Sequence, residues 1–169
     1  MKFKKIICWP PLLGGVGAGV TIAILAYITF QSTLSGTNYG LWLAASFGSS
    51  VVVVFGYPNN EFAQPKNVLF GHLLCALVGI IFVTLFKISQ DRSIFFLAIG
   101  IAVGISVTLM MALKITHPPA GGNTIVVMLI QDSFQFLIFP IMVGAVTIII
   151  GGVIYNRFIL KKKYPLKWF

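Results

Sequence analysis

Nine consecutive residues interrupt an otherwise apolar part of the chain: Thr116-His117-Pro118-Pro119-Ala120-Gly121-Gly122-Asn123-Thr124. Two consecutive prolines cannot continue a helix from the preceding apolar run, because each ring removes an N–H donor and clashes with the previous turn. The two glycines allow the backbone to turn, and Asn123 and Thr124 are favourable caps for a new helix near Ile125. This pattern predicts a broken helix at membrane depth, where irregular backbone is tolerated only in a protein interior or a wet cavity.

The composition is that of a membrane protein. Of the 169 residues, 58% are hydrophobic and 9% are charged, whereas soluble domains carry about 25% charged residues. The net charge is +9, and most basic residues lie near the two chain termini, which indicates positive-inside orientation in a lipid bilayer rather than nucleic-acid binding. The spacing of cysteines and histidines suggests no metal site and no disulfide framework. We therefore expect a single transmembrane domain of residues 1–169 without a cofactor.

The apolar segments differ in length. A full span needs about 20 residues, and residues 12–30, 68–86, 93–113 and 134–155 satisfy this requirement. Residues 39–55 are interrupted by Ser46-Phe47-Gly48-Ser49-Ser50, and residues 115–130 contain the proline break. The predicted fold class is an all-α polytopic membrane protein with four full transmembrane helices and two broken or half-helix segments.

The two broken segments resemble each other. Gly48-Ser49-Ser50 with its following valines aligns with Gly122-Asn123-Thr124 and its following apolar residues, and the spacing of Gly71 and Gly79 recurs at Gly144 and Gly152. This suggests two halves, residues 12–86 and 93–160, related as a 3+3 inverted repeat. Six crossings and four crossings with two re-entrant segments both remain open, since the basic residues divide ten to two in either case. Both alternatives place the N- and C-termini in the cytoplasm.

The helix breaks are candidate binding sites. A helix N-terminus exposes unpaired N–H groups and a partial positive charge, which suits a small anion. Two lysines, Lys66 and Lys114, flank the broken segments and are predicted to form a vestibule, although they could instead snorkel to the lipid headgroups. Simple capping of buried half-helices is the structural alternative. The candidate substrate-binding residues are Gly48, Ser49, Ser50, His117, Gly121, Gly122, Asn123 and Thr124.

The titratable residues also favour an anion. The acidic residues Glu61, Asp91 and Asp132 lie in predicted loops, which disfavours a carboxylate relay or a cation site within the spans. For His117, we weigh equally a role in lending or taking a proton and a neutral ring that hydrogen-bonds a carbonyl freed by the prolines. For His72, a structural role is preferred, and it is kept as a secondary site candidate.

Three groups of residues together resemble the HPP family of integral membrane proteins. They are His117-Pro118-Pro119-Ala120-Gly121, then Ser46-Phe47-Gly48-Ser49-Ser50 followed by Phe55-Gly56 and Pro58, and finally Ala63-Gln64-Pro65-Lys66-Asn67-Val68 with Gly71-His72. Family members from cyanobacteria and chloroplasts are implicated in nitrite transport. The resemblance therefore implies nitrite transport for this chain.

The sequence thus predicts passage of a small monovalent anion, with nitrite implied by the resemblance, across a bacterial inner membrane. A channel and a proton-coupled carrier remain open, and small-residue faces suggest a homo-oligomer. We expect no enzymatic activity. Two alternatives are a structural or regulatory subunit of a larger membrane complex, and an intramembrane enzyme that uses His117 with Asn123 or Thr124.

Overall fold

A computed structural model describes residues 9–32, 39–84, 94–131 and 134–168, and these residues form a helical bundle. The helices are α1 (Trp9–Ser32), α2 (Tyr39–Gly56), α3 (Pro65–Thr84), α4 (Phe95–Ala112), α5 (Gly121–Ile130) and α6 (Val143–Val153). Short 3-10 turns at Glu61–Ala63 and Pro118–Ala120 precede α3 and α5, and π-helical turns at Leu137–Met142 and Ile154–Ile159 extend α6 at both ends.

The predicted fold class is confirmed. Four helical segments are long and apolar enough to cross a membrane: Pro11–Phe30, Pro65–Thr84, Phe95–Ala112 and Leu137–Ile159. Two shorter apolar helical stretches, Ser46–Gly56 and Pro118–Ile130, complete the bundle. The protein is therefore an all-α, multi-pass membrane protein.

Most of the described basic residues lie at one end of the bundle. Pro11 of α1, Gly56 of α2 and Leu160 after the last helix line one cavity. At the same end, the Tyr164 hydroxyl donates to the Ala63 carbonyl at 2.8 Å, just before α3 begins. We call this the basic end, because Lys66, Arg157 and the lysines at 161–163 belong to it.

The described helices alternate in direction along the chain. Spans α1 and α3 both begin at the basic end, so α2 must return the chain between them. The Asn67 amide near the start of α3 donates to the carbonyl of Thr116 at 2.9 Å, which places the end of α4 and the start of α5 at the basic end as well. Since the last span also finishes there, α5 runs towards the opposite end. The structure therefore matches the six-crossing alternative, with Lys114 at the basic end.

The predicted break in the second segment is wrong. Helix α2 runs without interruption from Tyr39 to Gly56, so Gly48, Ser49 and Ser50 lie inside a helix rather than at a helix N-terminus. The Ser49 hydroxyl donates to the Ser46 carbonyl at 2.9 Å, and the Ser50 hydroxyl lies 3.1 Å from the same oxygen. Serine hydroxyls that bond back to the preceding turn are compatible with a helix interior, and no proline is present to stop the helix.

The last span contains an interruption that was not predicted from the sequence. Phe139 has extended backbone angles, φ −128° and ψ 119°, and is followed by Pro140. Proline cannot donate the helical hydrogen bond at its own position, so the helical backbone is divided there. Regular α-helix resumes at Val143.

The division of the chain into two halves stays a prediction. The close contacts of two pairs of glycines are relevant to it. A Cβ atom built on Gly71 would collide with His117 in the turn before α5, and one built on Gly79 would collide with α5 itself. A Cβ atom built on Gly144 or Gly152 would collide with side chains of α2. Each glycine pair thus lets the third helix of one half pack closely against the middle helix of the other half. This exchange is the pattern that an inverted repeat would produce.

Candidate functional site

Four buried polar side chains meet in the centre of the bundle. Ser50 comes from α2, His72 from α3, and His117 and Asn123 flank the start of α5. Ser50, His72 and His117 are 0% exposed, and Asn123 is 1% exposed. We call these four residues the histidine cluster. Buried polar groups of this kind are costly unless they are hydrogen-bonded, so the contacts within the cluster decide what it can do.

Ser50 connects the two imidazole rings. Its hydroxyl lies 2.8 Å from Nε2 of His72 and 2.9 Å from Nε2 of His117. The same hydroxyl lies 3.1 Å from the carbonyl oxygen of Ser46 in the preceding turn of α2. One oxygen atom therefore faces two ring nitrogens and one carbonyl, and it has a single proton to donate.

The other ring nitrogens determine the tautomers. Nδ1 of His117 lies 2.7 Å from the carbonyl oxygen of Phe62, and because a carbonyl can only accept, this nitrogen donates. The Asn123 amide nitrogen donates to Nδ1 of His72 at 2.7 Å and contacts the His72 carbonyl at 3.3 Å. Nδ1 of His72 is therefore an acceptor, and its Nε2–H donates to Ser50. When Ser50 donates to His117 rather than to the Ser46 carbonyl, both rings are neutral and bonded at both nitrogens.

One aromatic ring packs against the cluster. The ring centroids of Phe47 and His72 are 4.6 Å apart, and those of His72 and His117 are 5.0 Å apart. Phe47 is fully buried, so an apolar ring covers one side of His72. A low-polarity environment strengthens the hydrogen bonds inside it.

The start of α5 differs in detail from the prediction. His117 is extended, with φ −135° and ψ 95°, and Pro118 and Pro119 occupy the first helical positions, which prolines favour. Proline has no N–H group, the Ala120 N–H donates to the His117 carbonyl at 2.9 Å, and the Gly121 N–H donates to proline carbonyls. The first N–H groups at this end are therefore absent or already bonded.

Asn123 and Thr124 do not cap α5, contrary to the sequence prediction. Helical backbone begins before them, and neither side chain bonds to the helix start. Gly121 and Gly122 are helical as well rather than forming a turn, and a Cβ on Gly122 would lie 2.9 Å from Oγ of Ser46. The polar side chains of this segment instead join α5 to other helices.

Thr124 takes part in a second buried polar group. Its hydroxyl donates to the Cys75 carbonyl of α3 at 2.8 Å, and the Ser106 hydroxyl of α4 lies 2.8 Å from the Thr124 oxygen. Ser106 and Thr124 are both 0% exposed. Ser106 was not among the residues predicted from the sequence, where its only signal was a hydroxyl residue within an apolar span.

Several predicted site residues lie outside the histidine cluster. Ser49 is exposed, and a Cβ built on Gly48 would meet no atom within 4 Å. Lys66 is half-buried at the start of α3, and Lys114 is exposed in the turn after α4 with φ 54°. Both lysines are at the basic end, on the side of the cluster that His117 occupies.

The C-terminal tail, at Tyr164 and Leu166, is hydrogen-bonded to the loop before α3, which contacts His117. The Gln64 side chain donates to the carbonyls of Pro58 and Asn60, at 2.9 and 2.8 Å. Its oxygen accepts the Leu166 N–H at 2.8 Å. Tyr164 is 1% exposed and bonds the Ala63 carbonyl, and burial raises the pKa of its hydroxyl. The tail is thus bonded to the turn whose Phe62 carbonyl accepts from His117.

A metal site is not evident in the described parts of the chain, where no three histidine, cysteine or acidic residues lie together. The polar interior is built from neutral imidazole, hydroxyl and amide groups. These groups can bind a small polar or anionic species and can exchange protons among themselves.

The fold and this polar interior define a multi-pass membrane protein with a buried histidine cluster. The chain belongs to the HPP family, since the family model described as "HPP, transmembrane region" matches residues 6–165.

Two transmembrane proteins of Dictyostelium discoideum are similar to this chain. One is 34% identical over 152 residues, which cover 87% of this chain and 52% of the relative. The other is 30% identical over 154 residues, which cover 88% of this chain and 48% of the relative. The chain therefore spans about half the length of these curated relatives. No solved structure matches it.

Proposed function

We propose that this protein transports a small monovalent anion across the membrane, with nitrite as the first candidate, and that the histidine cluster is its binding site. The observation that carries the proposal is that amide, hydroxyl and imidazole groups of Asn123, Ser50, His72 and His117 meet in the buried centre of the bundle. These groups supply N–H and O–H donors without a fixed charge. The choice of nitrite rests on the resemblance to HPP proteins implicated in its transport.

The distribution of charge supports an anion over a cation. In the described residues the one carboxylate is Glu61, which is exposed in the turn before α3. Asp91 and Asp132 fall outside the described residues. The net charge of +9 and the lysines of the basic end attract anions to that end of the bundle. We propose that Lys66 and Lys114 form the vestibule there.

The membrane and the assembly state are part of the proposal. We propose a bacterial inner membrane with the basic end in the cytoplasm, following the positive-inside rule. Exposed glycines lie on α1 at Gly15 and Gly19 and on α4 at Gly100 and Gly104, with open space beside each. Such small-residue faces favour close helix contact between copies, which supports a homo-oligomer.

Anion flux into liposomes that contain only the purified protein tests the proposal. Nitrite, nitrate, formate and chloride would be compared, with protein-free liposomes subtracted. We expect selective nitrite flux that falls at least about tenfold in Asn123→Leu, because the apolar side chain removes a donor and disrupts the orientation of His72. The matched control is Thr108→Val, since Thr108 is exposed on α4 and bonds only its own helix, at Gly104.

The outcomes separate the proposed functions. Loss of nitrite flux in Asn123→Leu with normal flux in Thr108→Val supports transport through the cluster. Absence of flux for every anion, from folded protein, contradicts transport by this protein alone and favours a subunit of a larger complex. Equal flux in both variants would place the pathway elsewhere in the bundle.

A further inference from the structure

The histidine cluster is a continuous chain of hydrogen bonds in which each imidazole both donates and accepts. Asn123 donates to Nδ1 of His72, whose Nε2–H donates to Ser50. Ser50 donates to Nε2 of His117, whose Nδ1–H donates to the Phe62 carbonyl. Chains of this kind polarise one another and move a proton by short transfers between adjacent atoms.

The cluster also has a place for one additional proton. If Nε2 of His117 becomes protonated, it donates to Ser50, and the Ser50 hydroxyl can then donate to the Ser46 carbonyl 3.1 Å away. Every donor still has an acceptor in that state. A second added proton would lie on Nδ1 of His72, opposite the Asn123 N–H that now donates to it. The hydrogen-bond geometry therefore accommodates the neutral cluster and a cluster with one extra proton.

We propose that the histidine cluster takes up one proton with each anion that it transports, so that transport is electroneutral, and that Ser50 passes this proton between the two imidazoles. The proposal rests on the proposed function, because it assigns a coupling ion to the same site. It also selects a proton-coupled carrier over a channel. Ser50 is a positioning and relay residue, and His72 and His117 hold the proton.

The proton transfers balance. The anion accepts the Asn123 N–H, which leaves the Nδ1 lone pair of His72 free to bind the incoming proton. The Nε2 proton of His72 then moves to Ser50 as the Ser50 proton moves to Nε2 of His117. Positive charge is now shared within the cluster beside the anion, and release on the other side reverses the same steps. One proton enters and one leaves with each anion, and only N–H and O–H bonds change.

The surroundings contribute few other protonation sites. The rings of His72 and His117 are the titratable groups inside the cluster. The charged or titratable groups near it on the surrounding elements include Glu61, Lys66, Cys75, Lys114 and Tyr164. Glu61, Lys66 and Lys114 are at the basic end, and Tyr164 bonds the loop rather than the cluster. The two histidines are therefore the groups whose protonation changes during transport.

The first test measures coupling in the wild-type protein. Liposomes would be loaded with a pH indicator, and nitrite uptake would be driven either by acid outside or by a potassium diffusion potential, with protein-free liposomes subtracted. We expect uptake driven by the pH gradient, one proton per nitrite, and no response to the potential. Uptake driven by the potential and indifferent to the pH gradient would overturn the coupling while leaving anion transport intact. Absence of nitrite exchange by the wild type would overturn both.

The second test concerns Ser50. In Ser50→Ala, the protonated imidazole loses a hydrogen-bond partner, so we expect the pH of half-maximal uptake to fall by about one to two units. Thr108→Val should keep the wild-type pH profile. A purely structural role for Ser50 would lower the rate equally at every pH, and a slower variant with an unshifted profile would overturn the relay. If Ser50→Ala does not fold, the wild-type stoichiometry still decides the coupling.

Discussion

Two short stretches with similar sequences have different structures in this protein. Gly48-Ser49-Ser50 lies inside α2, an uninterrupted helix of 18 residues, whereas Gly122-Asn123-Thr124 lies in the first turns of α5, a helix of 10 residues. Both stretches combine glycine with small polar residues before an apolar run. The difference between them therefore comes from what precedes each stretch.

The prolines cause this difference. Pro118 and Pro119 follow an extended His117 and force a helix to begin at that point. The stretch in α2 follows Leu41 to Ala45, residues of mostly favourable helix propensity, and its serine hydroxyls bond back to the same helix. Glycine and serine by themselves are thus insufficient to break a membrane helix here.

Despite this difference, residues of both stretches bond the same ring, that of His72. Ser50 bonds Nε2 of His72 and Asn123 bonds Nδ1 of His72. The polar contacts come from side chains on helix faces, while the N–H groups at the start of α5 are bonded within the turn. The comparison indicates that a buried site at a helix break can be built without free backbone donors.

The largest change in stability is expected when proline replaces Gly48 in the continuous helix α2. Gly48→Pro should destabilise the protein by about 3 kcal/mol or more, because a helix interior loses a hydrogen bond and gains a steric clash. Gly48→Ala should stabilise it by about 0.5–1 kcal/mol, because a Cβ there meets open space. Thermal unfolding in detergent, followed by circular dichroism, measures both. A Gly48→Pro protein as stable as the wild type would show that α2 is broken at this point.

The adjacent serines in α2 provide the next comparison. Ser50→Ala should cost about 1–3 kcal/mol, because it leaves ring nitrogens of buried histidines without a partner. Ser49→Ala should change stability by less than about 0.5 kcal/mol, since Ser49 is exposed and bonds only its own helix. Unfolding midpoints of the two variants measure the difference. Equal losses would mean that the hydroxyl of Ser50 acts only within its helix.

The sequence allowed much of the fold to be predicted, because long apolar runs and a double proline have direct structural consequences. The four spans and the half-helix near Pro118 follow from these features. The continuous α2 did not follow, because a serine can either cap a helix or bond within one, and the choice depends on tertiary packing.

The site was predictable in composition but only partly in geometry. Ser50, His117 and Asn123 were candidates, and the neutral His117 bonded to a carbonyl was one of two alternatives. The carbonyl belongs to Phe62, 55 residues away in sequence, rather than to the region freed by the prolines. For His72 a structural role was preferred and the residue was kept as a secondary candidate, and in the structure it contacts both Ser50 and Asn123. Pairings between helices so distant in sequence cannot be read from local pattern.

A smaller loss of stability is expected at the second buried polar group, which contains Thr124 of α5 and has no counterpart in the stretch in α2. Thr124→Val removes the hydroxyl that joins α5 to Cys75 and Ser106. Hydrogen bonds between membrane helices contribute about 0.6 kcal/mol on average and at most about 1.7, so the loss should fall in that range. Ser106→Ala should cost less, because Thr124 keeps its bond to Cys75. Differential scanning fluorimetry of both variants tests this order, and a larger loss in Ser106→Ala would contradict the assigned hydrogen bonds.

The last comparison is between the two adjacent glycines of α5. A Cβ at Gly121 meets open space, whereas a Cβ at Gly122 would lie 2.9 Å from Oγ of Ser46 in α2. Gly121→Ala should therefore stabilise the protein by up to about 1 kcal/mol through reduced backbone entropy. Gly122→Ala should not be stabilised in this way, because the Ser46 hydroxyl must move to make room for the new Cβ atom. The stabilities of the two variants should therefore differ by about 1 kcal/mol. Chemical unfolding in mixed micelles measures the pair. Equal stability of the two variants would mean that α2 and α5 are less closely packed at Ser46 than the structure indicates, and the route by which Ser50 and Asn123 reach the same ring would then need revision.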